Sequence, residues 1–314
     1  MASFNPRQFI CEKTKLLNSE IGSDIAIVAL SGGVDSSVTA VLGFKAVGEN
    51  LKIVFLEDGF MRTGESERIK KVFKSIGIDV AIYDVQREFL TALKGIKDAE
   101  EKRKAFRDTF YKTFSKIARE TGAKIILQGT IAADIVETAG GVKTQHNVLE
   151  QIGINPFEKY GFRIVEPLKE LYKNQVRLVA KELGLPDEIV DRRPFPGPGL
   201  SIRILGEVTE EKLSIIKKAT SIVDDELADI KCFQAFPVLL EGRATGIRAD
   251  SSRKYGYMVA LRIVESEDAM TAKHVKLDWN RLDKTSHRIL AEIPEVSRVL
   301  YDITDKPPAT IEFE

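Results

Sequence analysis

The chain has 314 residues, 43% of them hydrophobic, and 47 Lys plus Arg against 47 Asp plus Glu, a net charge of zero. That length suits two domains or one large one, and the neutral balance argues against nucleic acid or an anionic membrane as the main partner. No apolar run approaches the ~18 residues of a membrane span and no leader pattern opens the chain. The two distant cysteines, Cys11 and Cys232, and the three histidines, His146, His274 and His287, offer no zinc spacing, so a cytoplasmic protein without a zinc site is expected.

From the N-terminus, short apolar runs alternate with stretches of helical period, the pattern of a parallel sheet wrapped by helices. Strands are predicted at 25–30, 52–56, 79–83, 124–128 and 163–165, with helices near 36–46, 65–75, 98–120 and 173–183. Gly77, Gly122 and Gly184 each fall just past a helical pattern, where a left-handed cap ends a helix. The expected fold class is α/β, an open parallel twisted sheet with helices on both faces. The run Arg192-Arg193-Pro194-Phe195-Pro196-Gly197-Pro198-Gly199-Leu200 can continue neither a helix nor a central strand and marks a rigid connector. Beyond it come a predicted strand at 202–205, a helix near 209–227, strands around 233–240 and 257–264, a helix near 281–291 and a strand at 298–303. Strict βα order is lost there, which reads as a smaller α+β domain. The expected division is 1–192 and 193–314.

Ser31-Gly32-Gly33-Val34-Asp35-Ser36-Ser37 directly follows the first predicted strand and opens the first of the predicted helices. Two glycines let the backbone turn tightly and present N–H groups to an anion, and the helix adds the positive end of its dipole. The segment reads as a phosphate grip. It lacks the lysine of G-x-x-x-x-G-K-[ST], so amides, Ser hydroxyls, a metal ion and a basic side chain from another segment must neutralise the phosphates. Asp35 is the natural bridge to Mg²⁺, which takes one or two carboxylates and leaves its other positions to phosphate and water. A plain helix N-cap is the competing reading of Asp35.

Gln128-Gly129-Thr130 ends the fourth predicted strand and is followed by Asp134, Glu137 and the stretch Gly140 to Asn147. Ligands of open α/β sheets lie beyond the carboxyl ends of the strands, so this segment and the first loop should face one crevice. Asp134 and Glu137, three apart, would share one side of a helical turn and suit a metal or a proton transfer; a solvated acidic turn is the alternative. The glycines before Lys143 suggest a lid bringing Lys143, His146 and Asn147 over phosphates, against an ordinary surface loop. Glu100-Glu101-Lys102-Arg103-Lys104 reads better as a solvated helix face with i, i+4 pairs. Cys11 has no nucleophile context, so glutaminase activity within the chain is not expected.

These residues resemble the ATP-pyrophosphatase subunit of GMP synthetase, of the archaeal two-subunit kind, nearly end to end. The resemblance rests on Ser31 to Ser37, Asp58-Gly59, Glu101 to Lys104, Gln128-Gly129-Thr130 with Asp134 and Glu137, and Lys143 to Asn147. It also rests on Val165 to Leu168, on Arg193 to Leu200, and on Lys306-Pro307-Pro308-Ala309-Thr310-Ile311-Glu312-Phe313-Glu314, of which the last two are the selective motifs. It implies an adenine nucleotide α-hydrolase-like fold and a reaction in two steps. The oxygen on C2 of xanthosine monophosphate (XMP) attacks the α-phosphate of ATP, pyrophosphate leaves, and ammonia then displaces AMP to give GMP.

The resemblance further implies ATP binding by Ser31, Gly32, Gly33, Val34, Asp35, Ser36, Ser37 and Gly129, with Asp35 holding Mg²⁺. Asp134 and Glu137 would position the metal or the reacting groups, and Lys143 and His146 would close as the lid. XMP would be bound by Arg103, Arg193, Gln234, Asp250, Lys306, Ile311 and Glu312; Arg103 and Lys306 suit its phosphate and Glu312 its purine N–H groups. A homodimer built on the second domain is also implied. Only about two dozen residues precede the first predicted strand, too few for a glutaminase domain, so ammonia would come from solution or from a separate glutamine amidotransferase subunit.

Gln145 stands where relatives commonly carry a second His, Ala133 where Pro is usual, Arg248-Ala249 before Asp250 where a Gly is usual, and Phe313 where Trp is common. The competing readings are another synthetase of the same loop class, NAD synthetase-like or tRNA-modifying, and a non-catalytic ATP sensor. The terminal motif and the lack of basic excess oppose the first. The second leaves the acidic pair, the lid and the tail without a joint purpose.

Overall fold

The computed structural model describes residues 4–139, 161–247, 251–267 and 269–314. The chain divides into two compact units, one of Met1–Asp58, Gly64–Gln86 and Arg107–Gly197, the other of Gly59–Thr63, Arg87–Phe106 and Pro198–Glu314. The second unit therefore reaches back into the first half of the sequence, which the expected cut at 192/193 does not do.

The first unit opens with α1 (Pro6–Ile21), whose Asn5 cap accepts the Arg7 and Gln8 amides at 3.1 and 3.2 Å. Then follow β1 (Ala26–Leu30), α2 (Val34–Val47), β2 (Leu51–Glu57), α3 (Glu65–Ser75) and β3 (Ala81–Asp84). After α4 (Gln86–Leu93) and the start of α5 (Ala99–Glu120), which belong largely to the second unit, come β4 (Ile125–Leu127), α6 (Ala132–Ala139), β5 (Arg163–Val165), α7 (Lys173–Glu182) and α8 (Asp187–Val190). The five strands are parallel in the order β3-β2-β1-β4-β5. The order reverses between β1 and β4, and that reversal opens a crevice beyond their carboxyl ends. β1 is central, so Ala26, Ile27, Val28 and Leu30 are all buried and the strand reads as an unbroken apolar run. Gly77, Gly122 and Gly184 take φ of 78°, 72° and 78° just past α3, α5 and α7, as the sequence predicts.

The second unit carries α9 (Glu210–Glu226) and α10 (Trp279–Glu292), capped by Thr209 and Asp278. Its sheet consists of β6 (Gln234–Ile247), β7 (Arg253–Glu265), β8 (Lys273–His274) and β9 (Val296–Tyr301). β7 pairs antiparallel with β6 and β8 and parallel with β9. The strand predicted at 202–205 is instead a buried 3₁₀ turn, Gly199–Arg203, and Ile204 makes only an isolated bridge to Leu239. Local bonds decide it: the Leu200 amide donates to the Phe60 carbonyl at 2.8 Å and Ser201 Oγ to the Pro198 carbonyl at 2.6 Å, before any ladder can form. A run as short as Ile202-Arg203-Ile204-Leu205 cannot by itself separate these outcomes. Among the described residues no helix is long and apolar enough to cross a membrane.

Candidate active site

β1 ends at Leu30 and α2 starts at Val34, so Ser31-Gly32-Gly33 alone turn the chain from strand to helix. Gly32 holds φ 76°, and a Cβ there would fall 2.3 Å from Glu65 Oε1 and 2.8 Å from the Arg192 guanidinium. Gly33 is the N-cap of α2 and no side chain caps the helix. The first amides of α2 are thus left for an anion. Ser36 Oγ accepts the Ser31 amide at 3.1 Å, and the Ser36 and Ser37 hydroxyls donate to the Gly33 carbonyl at 3.1 and 2.8 Å. The serines brace the loop from inside.

Asp35 is not the cap that its type and place could suggest; it lies inside the first turn of α2. Its Oδ2 accepts the Lys173 ammonium at 2.5 Å, while Oδ1 is buried without a hydrogen-bond partner. An open buried carboxylate oxygen beside a phosphate loop fits one position around Mg²⁺, whose other positions go to phosphate and water. Among the described residues no group of three or more His, Cys, Asp or Glu could hold a metal without such help. Lys173, at the first position of α7, supplies the basic side chain that the loop lacks. Sequence reasoning requires such a group but does not locate it, because it lies 138 positions from Asp35.

Below the loop sits a pair that the sequence also hides. Glu65 is 2% exposed and receives both arms of the Arg192 guanidinium, which also donates to the Gly32 carbonyl at 3.0 Å. Arg68 adds a bond to Glu65 Oε1 at 3.0 Å. Burial alone would raise the Glu65 pKa, but the bonds and charge of Arg192, then those of Arg68, outweigh it and hold the carboxyl below its usual range. The left-handed turn at Gly32 rests on this ionised pair.

Gly129 brings the end of β4 against the loop: a Cβ there would lie 3.0 Å from the Asp35 carbonyl carbon and 3.1 Å from the Ser36 nitrogen. The two segments therefore line one crevice. Thr130 Oγ1 accepts from Gln128 at 3.0 Å and donates to Glu166 at 2.6 Å. Asp134 Oδ2 accepts the Ile131 amide at 2.9 Å, closing the start of α6. Glu137 stands three positions further along α6, and its side chain lies outside the described residues, as do Lys143 and His146 of the expected lid.

In the second unit, Glu312 accepts Arg203 Nε and Nη2 at 3.1 and 2.9 Å and Gln234 Nε2 at 3.3 Å. Arg203 is 2% exposed and its guanidinium lies 4.0 Å from the centre of the Phe236 ring. Ile311 packs against Phe236, Val238 and Val264, and buried Arg262 donates to the carbonyls of Thr304, Thr310 and Ile311. Lys306 Nζ donates to the Ala269 carbonyl at 2.7 Å. Gln234, Ile311 and Glu312 are thus gathered, with Lys306 on the same tail. Arg103 pairs with Glu100 on α5, Arg193 is half-buried in the first unit, and Asp250 lies outside the described residues. The expected solvated face at 100–104 needs correction at Lys102, which is fully buried and donates to the Ile204 carbonyl at 2.6 Å and to Glu314.

The NAD synthase family model matches residues 9–215, and the GMP synthase C terminal domain model matches residues 221–313. A subunit of glutamine-hydrolyzing GMP synthase from Methanocaldococcus jannaschii is 50% identical over 316 residues, covering 99% of this chain and 100% of that protein. The proteins of the same name from Methanopyrus kandleri and Archaeoglobus fulgidus are 48% and 50% identical, covering 99% and 98% of this chain and 100% and 99% of theirs. Among solved structures, NMN synthetase from Francisella tularensis is 19% identical with a TM-score of 0.49, covering 73% of this chain and 88% of that one, too loose a likeness to bear on activity. About half of all positions shared across nearly the whole of both chains is a family relationship, as the sequence motifs anticipate. The chain belongs to the ATP-pyrophosphatase subunit family of glutamine-hydrolysing GMP synthases, which are carbon–nitrogen ligases.

Proposed function

We propose that this chain aminates XMP to GMP at the expense of ATP in the cytoplasm, as a homodimer supplied with ammonia by a separate glutamine amidotransferase subunit. The observation that carries the reading is the start of α2, where uncapped amides, an open Asp35 Oδ1 and the Lys173 ammonium come together. Mg²⁺, held by Asp35 Oδ1 together with phosphate oxygens, would offset the charge of the triphosphate.

The loop amides and Lys173 hold the outer phosphates of ATP. Charge grows on those phosphates as the C2 oxygen of XMP bonds to the α-phosphorus and pyrophosphate departs. Donors fixed in advance at that place act on the transition state, and losing one costs about 100- to 1000-fold in rate. Ammonia then attacks C2, and AMP leaves carrying the former C2 oxygen. Asp134 and Glu137 position the reacting groups, with Lys143 and His146 closing over them. Arg103 and Lys306 receive the XMP phosphate, Gln234 and Glu312 the purine edge, and Arg193, Asp250 and Ile311 complete the site.

Supplying the purified chain with ATP, Mg²⁺, XMP and an ammonium salt tests this. Pyrophosphate release should require XMP and match GMP one for one, and glutamine alone should not replace ammonium. GMP formation from glutamine by the pure chain would refute the separate ammonia source. ATP binding without XMP-dependent pyrophosphate release would favour the sensor instead.

A further inference from the structure

Three of the bulkiest fully buried side chains among the described residues are cationic: Arg203, Arg262 and Lys102. A cation out of water persists only when it is paired and its protons are bonded. All three bond the segment from residue 302 to 314. Arg262 takes Asp302 and three carbonyls, Arg203 takes Glu312, and Lys102 takes Glu314 and the Ile204 carbonyl. The other oxygen of Glu314 accepts the Gly206 amide at 3.3 Å.

Lys102 is the one whose neighbours matter most. It precedes Arg103 on α5, the Ile204 that it bonds follows Arg203, and Glu314 is two residues past Glu312. Burial raises the Glu314 pKa and lowers that of Lys102, and their shared hydrogen bond and charge, then the Gly206 amide and the Arg103 charge on Glu314, work against that burial. One ammonium therefore joins the helix bearing Arg103, the strip bearing Arg203 and the tail bearing Glu312. An apolar side chain could fill the same volume, but it would let the tail slide, whereas an ammonium with two fixed acceptors sets its register.

We infer that Lys102 is a positioning residue, which through its buried pair with Glu314 fixes the distance between Arg103 and Glu312 so that both ends of XMP are held at once. This rests on the functional reading above, in which Arg103 receives the phosphate and Glu312 the purine. Lys102 itself touches no substrate. Its loss weakens XMP binding and leaves the ATP loop, which belongs to the other compact unit, unaltered.

The test compares full-length wild type with Lys102→Met/Glu314→Gln, which removes both charges at similar volume, and with Glu314→Asp, which keeps the charge but withdraws it by one methylene. The double variant should keep the wild-type thermal midpoint within a few degrees, Glu314→Asp should lower the midpoint while leaving the chain folded, and both should keep an unchanged KM for ATP. Their KM for XMP should rise by about 10- to 100-fold, the scale on which small misplacements act, with kcat at saturating XMP within a few-fold. A folded double variant with wild-type KM for XMP would overturn the inference. If the double variant does not fold, Glu314→Asp decides alone: a raised KM for XMP only supports the inference, and an unchanged one ends it. A wild-type chain inert toward XMP would bring down the functional reading and this inference together, whereas active wild type with unaltered variants brings down the inference alone.

Discussion

The phosphate loop and the C-terminal tail are ordered by opposite means. In the loop, the serine bonds that shape the backbone span three to five positions, and the carboxylate oxygen Asp35 Oδ1 is left open. In the tail, Glu314 and Glu312 are held by cations 212 and 109 positions away, with the Gly206 amide and Gln234 as further donors. A loop of local bonds presents its donors already aimed, with little to reorganise when a ligand arrives. The tail has local bonds too, such as the Ala309 amide to the Asp305 carbonyl at 3.0 Å, but its carboxylates take their places from the buried charges that hold them.

The sharpest way to break this contrast is at Asp35. Asp35→Ala should abolish XMP-dependent pyrophosphate release, by about 100- to 1000-fold or more, while thermal unfolding stays near wild type, since Asp35 caps nothing and its one ion pair is half-exposed. Near-normal turnover would remove Asp35 from the phosphate site.

Next in size is the support below the loop, where the local account stops and a long-range pair takes over. Glu65→Gln should cost about 3–5 kcal/mol of stability at neutral pH, because it strands the Arg192 charge in a buried site. The sign with pH follows from the depressed Glu65 pKa: its contribution is fully present above the usual carboxylate value of 4.5 and is lost as pH falls through the lower folded value. Urea unfolding of the two proteins should therefore differ most near neutrality and converge in acid. A gap that widens in acid would contradict an ionised Glu65.

Smallest is Lys306, whose ammonium rests on the half-buried Ala269 carbonyl and is not locked into an ion pair among the described residues. Lys306→Ala should raise the XMP requirement about 10-fold, the value of one charged hydrogen bond, with the ATP requirement unchanged. Equal effects on both would take it out of the nucleotide pocket.

The same contrast explains what the sequence reveals. β5 and α3 fall at 163–165 and 65–75 as predicted, and Ser31 to Ser37 form the expected turn, because their determinants are contiguous. α1 escapes the periodicity: Phe9, Leu17 and Ile21 are its buried residues, and a polar helix with so thin an apolar stripe gives a weak periodic signal. The strand expected at 202–205 is a turn because hydrogen bonds to Phe60 and Pro198, not the alternation around Arg203, decide its backbone. Lys102 reads as solvated because a run of mixed charges has that look on any helix; Glu314 and the Ile204 carbonyl, 212 and 102 positions away, let it sit in the core. Lys173, Glu65 and Arg192 stay hidden for the same reason, their partners lying 127 to 160 positions away.

The central claim is that the loop delivers the α-phosphorus of ATP to the C2 oxygen of XMP. Labelling that oxygen with ¹⁸O and running the ammonia-driven reaction to completion reads the step directly. Mass spectrometry should find the label in AMP, with pyrophosphate unlabelled. Label appearing in water or pyrophosphate, with AMP unlabelled, would contradict it.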